Sequence, residues 1–374
     1  MAGRAAGDPV LRFRLAAQHL TAPAADALEV AAGWSLQDSP PGTAAMALGA
    51  RVADFEPADL GRALHEDRTL VKLYNARTAT AVVPAAELRA FGAALLPGDE
   101  DGLRALLANA IPPAGEGTGP AEAVQRTGEA VLEALDGAVL SRDDLHEHLR
   151  RRLPEDLLPW CKGCESHHAR RNLLVAACLR GELCLAGTAG RQPAFARPDQ
   201  WLPEAPGPAD PEAAAAELVR RFLRACGPAT PALLAEWAGI PRARARWAWE
   251  LVADELVAAP EGGELLAADA GALDAAPEHR GVVLLPPGDP LLLARDRDRL
   301  VADPGRRKAL WRGITPPGAV LADGAVAGLW RGRKQGRDLE VTVEAWASID
   351  RAALQAAAER VAALRGARSA TVQI

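Results

Sequence analysis

The stretch from Asp210 to Leu266 constrains the fold of this 374-residue chain more than any other. Asp210 and Pro211 open a helical pattern that runs to Cys226, and Gly227-Pro228 closes it. Thr230-Pro231 starts a second helix through Trp237, Gly239-Ile240-Pro241 is a turn, and Ala243 to Glu255 is a third helix. Leu256-Val257-Ala258-Ala259, Glu261-Gly262-Gly263 and Leu265-Leu266 then spell strand, tight turn and strand. Three helices with a glycine-containing turn before the third, followed by a hairpin, specify a winged helix-turn-helix. The third helix carries Arg242, Arg244 and Arg246. Arg244 and Trp247 share a face at i,i+3, while Arg242 and Arg246 form the other pair at i,i+4. Such a helix either reads a nucleic-acid groove or serves as a structural spacer.

The first part of the chain repeats that order. Leu11 to Leu20 has helical spacing, and Thr21 caps a second helix over Ala24–Ala32 that ends at Gly33. Trp34 to Ser39 is extended, Pro40-Pro41-Gly42 punctuates it, and helices follow over Thr43–Val52 and Asp59–Asp67. Thr69–Tyr74 and Thr78–Val83 read as paired strands. Pro112 to Pro120 is a loop by composition. A second module begins with a helix over Ala121–Leu135, and Ser141-Arg142-Asp143-Asp144 resembles a capping box leading into Leu145–Leu153. It ends near Pro198, and Asp199 to Pro211 is a proline-rich linker.

From Gly281 the pattern turns to strands: Val282–Leu285, Ala319–Leu321, Ala325–Trp330 and Leu339–Val343. A helix over Asp350–Arg365 and a closing strand complete a small barrel or sheet with one covering helix. The apex of the hairpin between Trp330 and Leu339 holds Arg331, Arg333, Lys334 and Arg337. On a chain of net charge −6 this is a concentrated positive patch. It suits a phosphate backbone or, alternatively, keeps a sheet edge soluble.

Composition sets outer bounds. Apolar residues make up 49% and charged residues 25%, as in ordinary globular proteins, and aromatics only 4%. Helices packed through Ala and Leu with a few Trp anchors are expected. No run approaches the length of a membrane span, and the start lacks a secretory apolar region, so a cytoplasmic protein away from membranes is expected. Five cysteines do not form a disulfide framework.

Several short motifs occur in a fixed order. They are Leu36-Gln-Asp-Ser-Pro-Pro-Gly42, Trp160-Cys-Lys-Gly-Cys-Glu-Ser-His-His168, Gly227-Pro-Ala-Thr-Pro231 with Glu236-Trp-Ala-Gly239, Leu284-Leu-Pro-Pro-Gly-Asp-Pro290, and Asp323-Gly324 with Gly328-Leu-Trp-Arg331. Together they resemble the AlkZ/YcaQ-type tandem winged-helix DNA glycosylases, over essentially the whole chain. The resemblance implies an α+β, C-shaped protein with three tandem winged-helix modules and a C-terminal β-rich, barrel-like domain. With the boundaries read above, the modules are 1–111, 121–198 and 210–270, and the C-terminal domain with its basic hairpin is 281–374. It further implies a monomer that binds double-stranded DNA carrying alkylated bases. The reaction is hydrolysis of the N-glycosidic bond of bulky N7-alkylpurine or cross-linked nucleotides, in base excision repair, without a cofactor.

The family's catalytic signature is Gln, an aliphatic residue, then Gln or Asp. By position it falls on Gln37, Asp38 and Ser39, where the middle residue is acidic and the third is a serine. Shifted by two it falls on Ser35-Leu36-Gln37, where the first residue does not agree. Gln37 holds a water through its amide, Asp38 acts as base or electrostatic stabiliser, and Ser39 orients water. The alternative is a turn in which Asp38 caps the following helix. Arg77 matches a family arginine of the first wing and either meets a phosphate or pairs with Asp54 or Glu87. Arg242 and Arg246 join it as expected DNA contacts, as do His167 and His168 and the hairpin cations. The Cys161-x2-Cys164 half-site invites zinc, but its expected second pair a dozen residues away is not evident and adjacent histidines seldom share one ion. No metal is assigned. Two other classes remain: a winged-helix DNA binder without chemistry, and a helical interaction scaffold.

Overall fold

The computed structural model describes residues 7–190, 192–204 and 207–374. The first residues of the expected 1–111 module and part of the 199–211 linker lie outside the described residues. The fold is mixed α+β, with several small sheets and a C-terminal sheet of five strands. The chain divides into two compact units. The first comprises Met1–Gly61, Arg220–Trp237 and Val252–Ile374, and the second Arg62–Val219 and Ala238–Leu251.

The core of the first unit is the five-stranded sheet. Val282–Leu285, Gly318–Ala322, Ala325–Gln335 and Asp338–Ala345 run antiparallel in that order, and Ala370–Gln373 adds a parallel edge. The helix Arg351–Leu364, capped by the Asp350 carboxylate on the Ala353 N–H, covers one face. Leu284, Val320, Trp330, Val341, Leu354, Ala358 and Val361 form the buried layer between them. Two glycines allow this closeness. A Cβ on Gly318 would sit 2.2 Å from the Trp330 indole nitrogen, and one on Gly328 would sit 2.5 Å from the Glu344 carbonyl oxygen. Trp330 instead donates its indole N–H to the Leu285 carbonyl at 2.8 Å.

The expected hairpin is present and longer than its apolar alternation suggested. Pairing continues from Gly328↔Ala345 to Gln335↔Asp338. Charged tips are poor strand signals, yet the backbone ladder persists through them because alternate side chains point into solvent.

In the second unit the hairpins Leu70–Tyr74/Thr80–Pro84 and Cys184–Ala189/Gln192–Ala196 join into one sheet through Lys72↔Leu185, with Leu140–Ser141 on the far edge. Helices Pro120–Ala134, Arg142–Arg152 and Arg171–Leu179 belong to the same unit. Ser141 caps the helix Arg142–Arg152 by accepting from the Asp144 N–H, as its sequence suggested. A two-stranded hairpin, Trp160–Cys161 with Ser166–His167, occupies a stretch expected as loop.

The helices of the 210–266 stretch are Pro211–Cys226, Pro231–Ala238 and Arg242–Glu250. The hairpin is Leu256–Ala258 with Glu264–Leu266. The third helix stops five residues short of its expected end because Ala253–Glu255 tightens into a 3-10 turn.

Candidate nucleic-acid interface

The loop Gln37–Ser39 enters the helix Thr43–Gly49, and that helix is fixed at both ends. At its start, Asp38 is buried and its Oδ1 accepts from the Gly42 and Ala44 N–H groups at 2.7 and 3.2 Å. Asp38 thus caps the helix, satisfying donors that a first turn leaves open. At its end, Arg360 donates to the Gly49 and Val52 carbonyls at 2.6 and 3.0 Å, and Arg51 donates to the Ala47 carbonyl at 3.0 Å.

Arg51 does more. Its guanidinium forms a two-pronged pair with Asp289, at 2.8 and 2.7 Å, and both side chains are wholly buried. Gln18 accepts from the same guanidinium and donates to the Ala225 carbonyl. A planar guanidinium matches a carboxylate in this forked way. The pair locks the segment Pro286–Pro290 against the helix that follows Gln37. Gly288, at φ 74°, comes so close that a Cβ there would lie 2.6 Å from the Gln37 amide nitrogen. Gln37 itself is half-buried and donates to the Ser39 carbonyl at 2.9 Å, while Ser39 is exposed.

Beyond Asp289 the chain makes a short 3-10 turn, Pro290–Leu293, and reaches Arg295, Asp296 and Arg297. Asp296 turns inward to the buried Arg14, at 2.8 Å. Arg295 and Arg297 line a concavity of 510 Å³ together with Asp298, Arg307, Lys308 and Trp311. Burial disfavours the charge of both Arg295 and Arg297, with Glu236 partly offsetting it. The Nε atoms of both are buried without a hydrogen-bond partner. Arg297 stands over the Trp311 ring at 5.1 Å.

The positive surface continues in the same unit. Arg312 donates to the Thr315 carbonyl at 2.9 Å and Arg331 to the same oxygen at 3.2 Å. Burial, and then the nearby Arg312, lower the Arg331 pKa. Ile314 projects beside them, 83% exposed. The hairpin cations divide between the two sheet faces. Arg331 and Arg333 lie on one, and Arg333 pairs with Glu340 at 3.1 Å. Lys334 lies on the other and donates to the Gly366 carbonyl at 2.9 Å, at the end of the covering helix. Arg337 is exposed past the turn.

In the second unit, Arg77 sits at φ 54° in the hairpin loop, against Gly239, where a Cβ would meet the Arg77 side chain at 2.8 Å. That glycine lies in the turn before helix Arg242–Glu250. Arg77 is thereby brought close to the start of the helix carrying Arg242 and Arg246, both exposed. Arg244 stacks on Trp247 at 4.1 Å, as their i,i+3 spacing implied. His167 is exposed, its Nδ1 pairs with the Leu158 carbonyl at 2.8 Å, and its ring meets Trp160 edge-on. His168 is turned elsewhere and pairs with its neighbour's Ala169 carbonyl.

Sequence reasoning missed Arg51, Asp289, Arg295, Arg297, Arg307 and Lys308. The one available signal was the Leu284–Pro290 motif, which contains Asp289.

One unit thus holds a braced polar loop and, further along the chain, a concavity in which cations outnumber the single carboxylate. Comparison supplies the class. The profile described as DNA glycosylase AlkZ-like matches residues 14–364. The chain belongs to this AlkZ-like DNA glycosylase family, which implies DNA binding. The solved structure of Streptomyces sahachiroi DNA glycosylase AlkZ superposes with a TM-score of 0.78 over 98% of each chain, at 22% identity. No curated protein matches the chain. No helix among the described residues is long and apolar enough to cross a membrane.

Proposed function

We propose that this chain is a DNA glycosylase that hydrolyses the N-glycosidic bond of bulky N7-alkylated or cross-linked purines in duplex DNA, as a step of base excision repair. One observation carries the reading. The Gln37 side chain lies on a braced loop against Gly288, and the chain from Gly288 leads directly into the Arg295–Arg297 concavity. A polar group able to orient water and a concavity lined by four cations therefore belong to one unit.

An N7-alkylated purine is already cationic and departs without a general acid. The sugar it leaves is oxocarbenium-like and needs an oriented water and nearby negative potential. Gln37 orients the water through its amide. Asp38, fixed by two backbone N–H groups, supplies negative potential from a constant position, and the exposed Ser39 hydroxyl shares the water. Arg295, Arg297, Arg307 and Lys308 hold the backbone, with Arg331 and Arg333 extending the contact. Ile314, apolar and projecting among cations, has the character of a side chain that unstacks a base step. Arg77, Arg242 and Arg246 add contacts from the second unit, as does His167.

The order of helices and hairpins supports three tandem winged-helix modules over 1–111, 121–198 and 210–270, followed by a β-rich domain over 281–374. The engagement of Asp38 as a helix cap favours the second reading, a winged-helix DNA binder without chemistry. Incubation with a duplex containing N7-methylguanine separates the two. Release of the free base supports the glycosylase; bound but intact duplex under enzyme excess supports the binder. Binding whose affinity does not change with salt removes both, because phosphate neutralisation releases counterions.

A further inference from the structure

The hairpin Trp160–Cys161/Ser166–His167 holds a feature that the glycosylase reading does not use. The ligand atoms of Cys161, Cys164 and His168 all lie within 4.8 Å of one another. Cys161 ends the first strand, Cys164 lies in the turn, and Glu165 at φ 49° curls that turn back on itself. The two neighbouring histidines separate: His167 turns to Leu158 and Trp160, and only His168 meets the thiols. A carbonyl can only accept, so the 2.9 Å contact with Ala169 puts the proton of His168 on Nδ1. Nε2 is left with a bare lone pair, buried and without a hydrogen-bond partner. Metal-bound histidines are oriented in this way by their other nitrogen.

A fourth group comes from helix Arg142–Arg152. His146 is 9% exposed, and its ring stands 4.7 Å from that of His168. Its Nδ1 is also buried without a partner. His146 thus stands next to the three-residue cluster through its contact with His168. From sequence no metal was assigned, because a second pair of ligands a dozen residues on was not evident and adjacent histidines seldom share one ion; the structure instead brings together one histidine from each of two elements.

We propose that Cys161, Cys164, His168 and His146 bind one zinc ion, which fastens the hairpin to the helix Arg142–Arg152. Two thiolates and two imidazoles are a common structural zinc set, and in a tetrahedron the two sulfurs stand about 3.8 Å apart. For Cys161, Cys164 and His168, closing from a spacing within 4.8 Å requires movement of about an ångström, within the range of side-chain rotation in an exposed turn.

The test uses the full chain, reduced, purified without chelator and then given zinc chloride. Elemental analysis after gel filtration should find one zinc per chain, and X-ray absorption should find two sulfur and two imidazole neighbours. Replacing zinc by cobalt(II) in the wild-type protein should give sulfur-to-metal charge-transfer absorption and the intense d–d bands of a tetrahedral site. Cys164→Ser should abolish stoichiometric zinc, and His146→Ala should weaken zinc at least about tenfold in competition with a chromogenic chelator. Absence of zinc and of cobalt bands in the reduced wild type overturns the site, including the case in which Cys161 and Cys164 instead oxidise to a disulfide. Unchanged zinc affinity in either variant overturns the four-residue set. Neither result depends on DNA cleavage.

Discussion

Two regions of the first unit use arginine in opposite ways. Under the Gln37 loop, Arg51 and Arg14 are buried and each is met by a carboxylate. Around the concavity, Arg295 and Arg297 are half-buried, with Glu236 as the carboxylate that partly offsets the cost of burial, and their Nε atoms, like that of Arg51, are buried without a hydrogen-bond partner. The first kind is spent on geometry. A buried ion pair contributes little net stability, but its geometry is demanding, and losing one partner strands a charge in a dry interior. The second kind lines a concavity and keeps part of each side chain in reach of solvent. The hairpin tip is a third condition, in which Arg333 is 76% exposed and already paired with Glu340. Solvent screens such a group, so its charge counts for less than its position in the sequence suggests.

The largest effect should come from the braced loop. Arg51→Met leaves Asp289 buried and uncompensated, and should cost about 3–5 kcal/mol in urea unfolding. Arg51→Met with Asp289→Leu should recover most of that loss, because neither charge then remains. A single-variant loss below about 1 kcal/mol would mean that Asp289 is reached by water and that the loop is not braced as described.

Next in size is the effect of the loop's own residues on chemistry. If Gln37 orients the attacking water, Gln37→Ala should slow single-turnover base release about a hundredfold and leave unfolding unchanged. Asp38→Ala should do both kinds of damage, because it also removes a helix cap that stabilises by about 0.5–2 kcal/mol. Base release by Gln37→Ala at the wild-type rate would remove Gln37 from the reaction while leaving the brace intact.

These differences mirror what the sequence could and could not say. The cap at Ser141 was legible because a capping side chain acts on backbone a few residues away. The hairpin Ala325–Gln335/Asp338–Ala345 was legible through its alternation, though it ran past the cations that masked its tip. The Arg51–Asp289 pair was not, since its two partners are far apart in sequence and a buried arginine looks like any surface one. Arg295 to Lys308 lie in short 3-10 and helical turns with no periodicity, so no pattern marked them as one surface. The fourth zinc ligand was hidden for the same reason: His146 carries no signal until a helix places it beside His168.

The cationic regions then separate by affinity. Arg295→Ala with Arg297→Ala should weaken duplex binding about tenfold for each phosphate left without its guanidinium, and reduce the salt slope by about 2. A slope equal to that of the wild type would mean that the concavity faces no backbone.

The smallest expected effect is at the hairpin tip, and it bears most directly on the contrast. Arg333 begins with a partner, so a phosphate must compete with Glu340 for its guanidinium. Arg333→Ala should therefore lower affinity by less than about threefold and change the salt slope by less than about 1. Glu340→Gln tests the same account from the other side. Removing the competing carboxylate frees Arg333, and affinity should rise modestly at low salt and converge with the wild type as salt screens the exposed charge. If Arg333→Ala instead costs as much as the loss of Arg295 and Arg297, exposure is the wrong criterion. The sequence's emphasis on the hairpin would then stand above the structure's emphasis on the concavity.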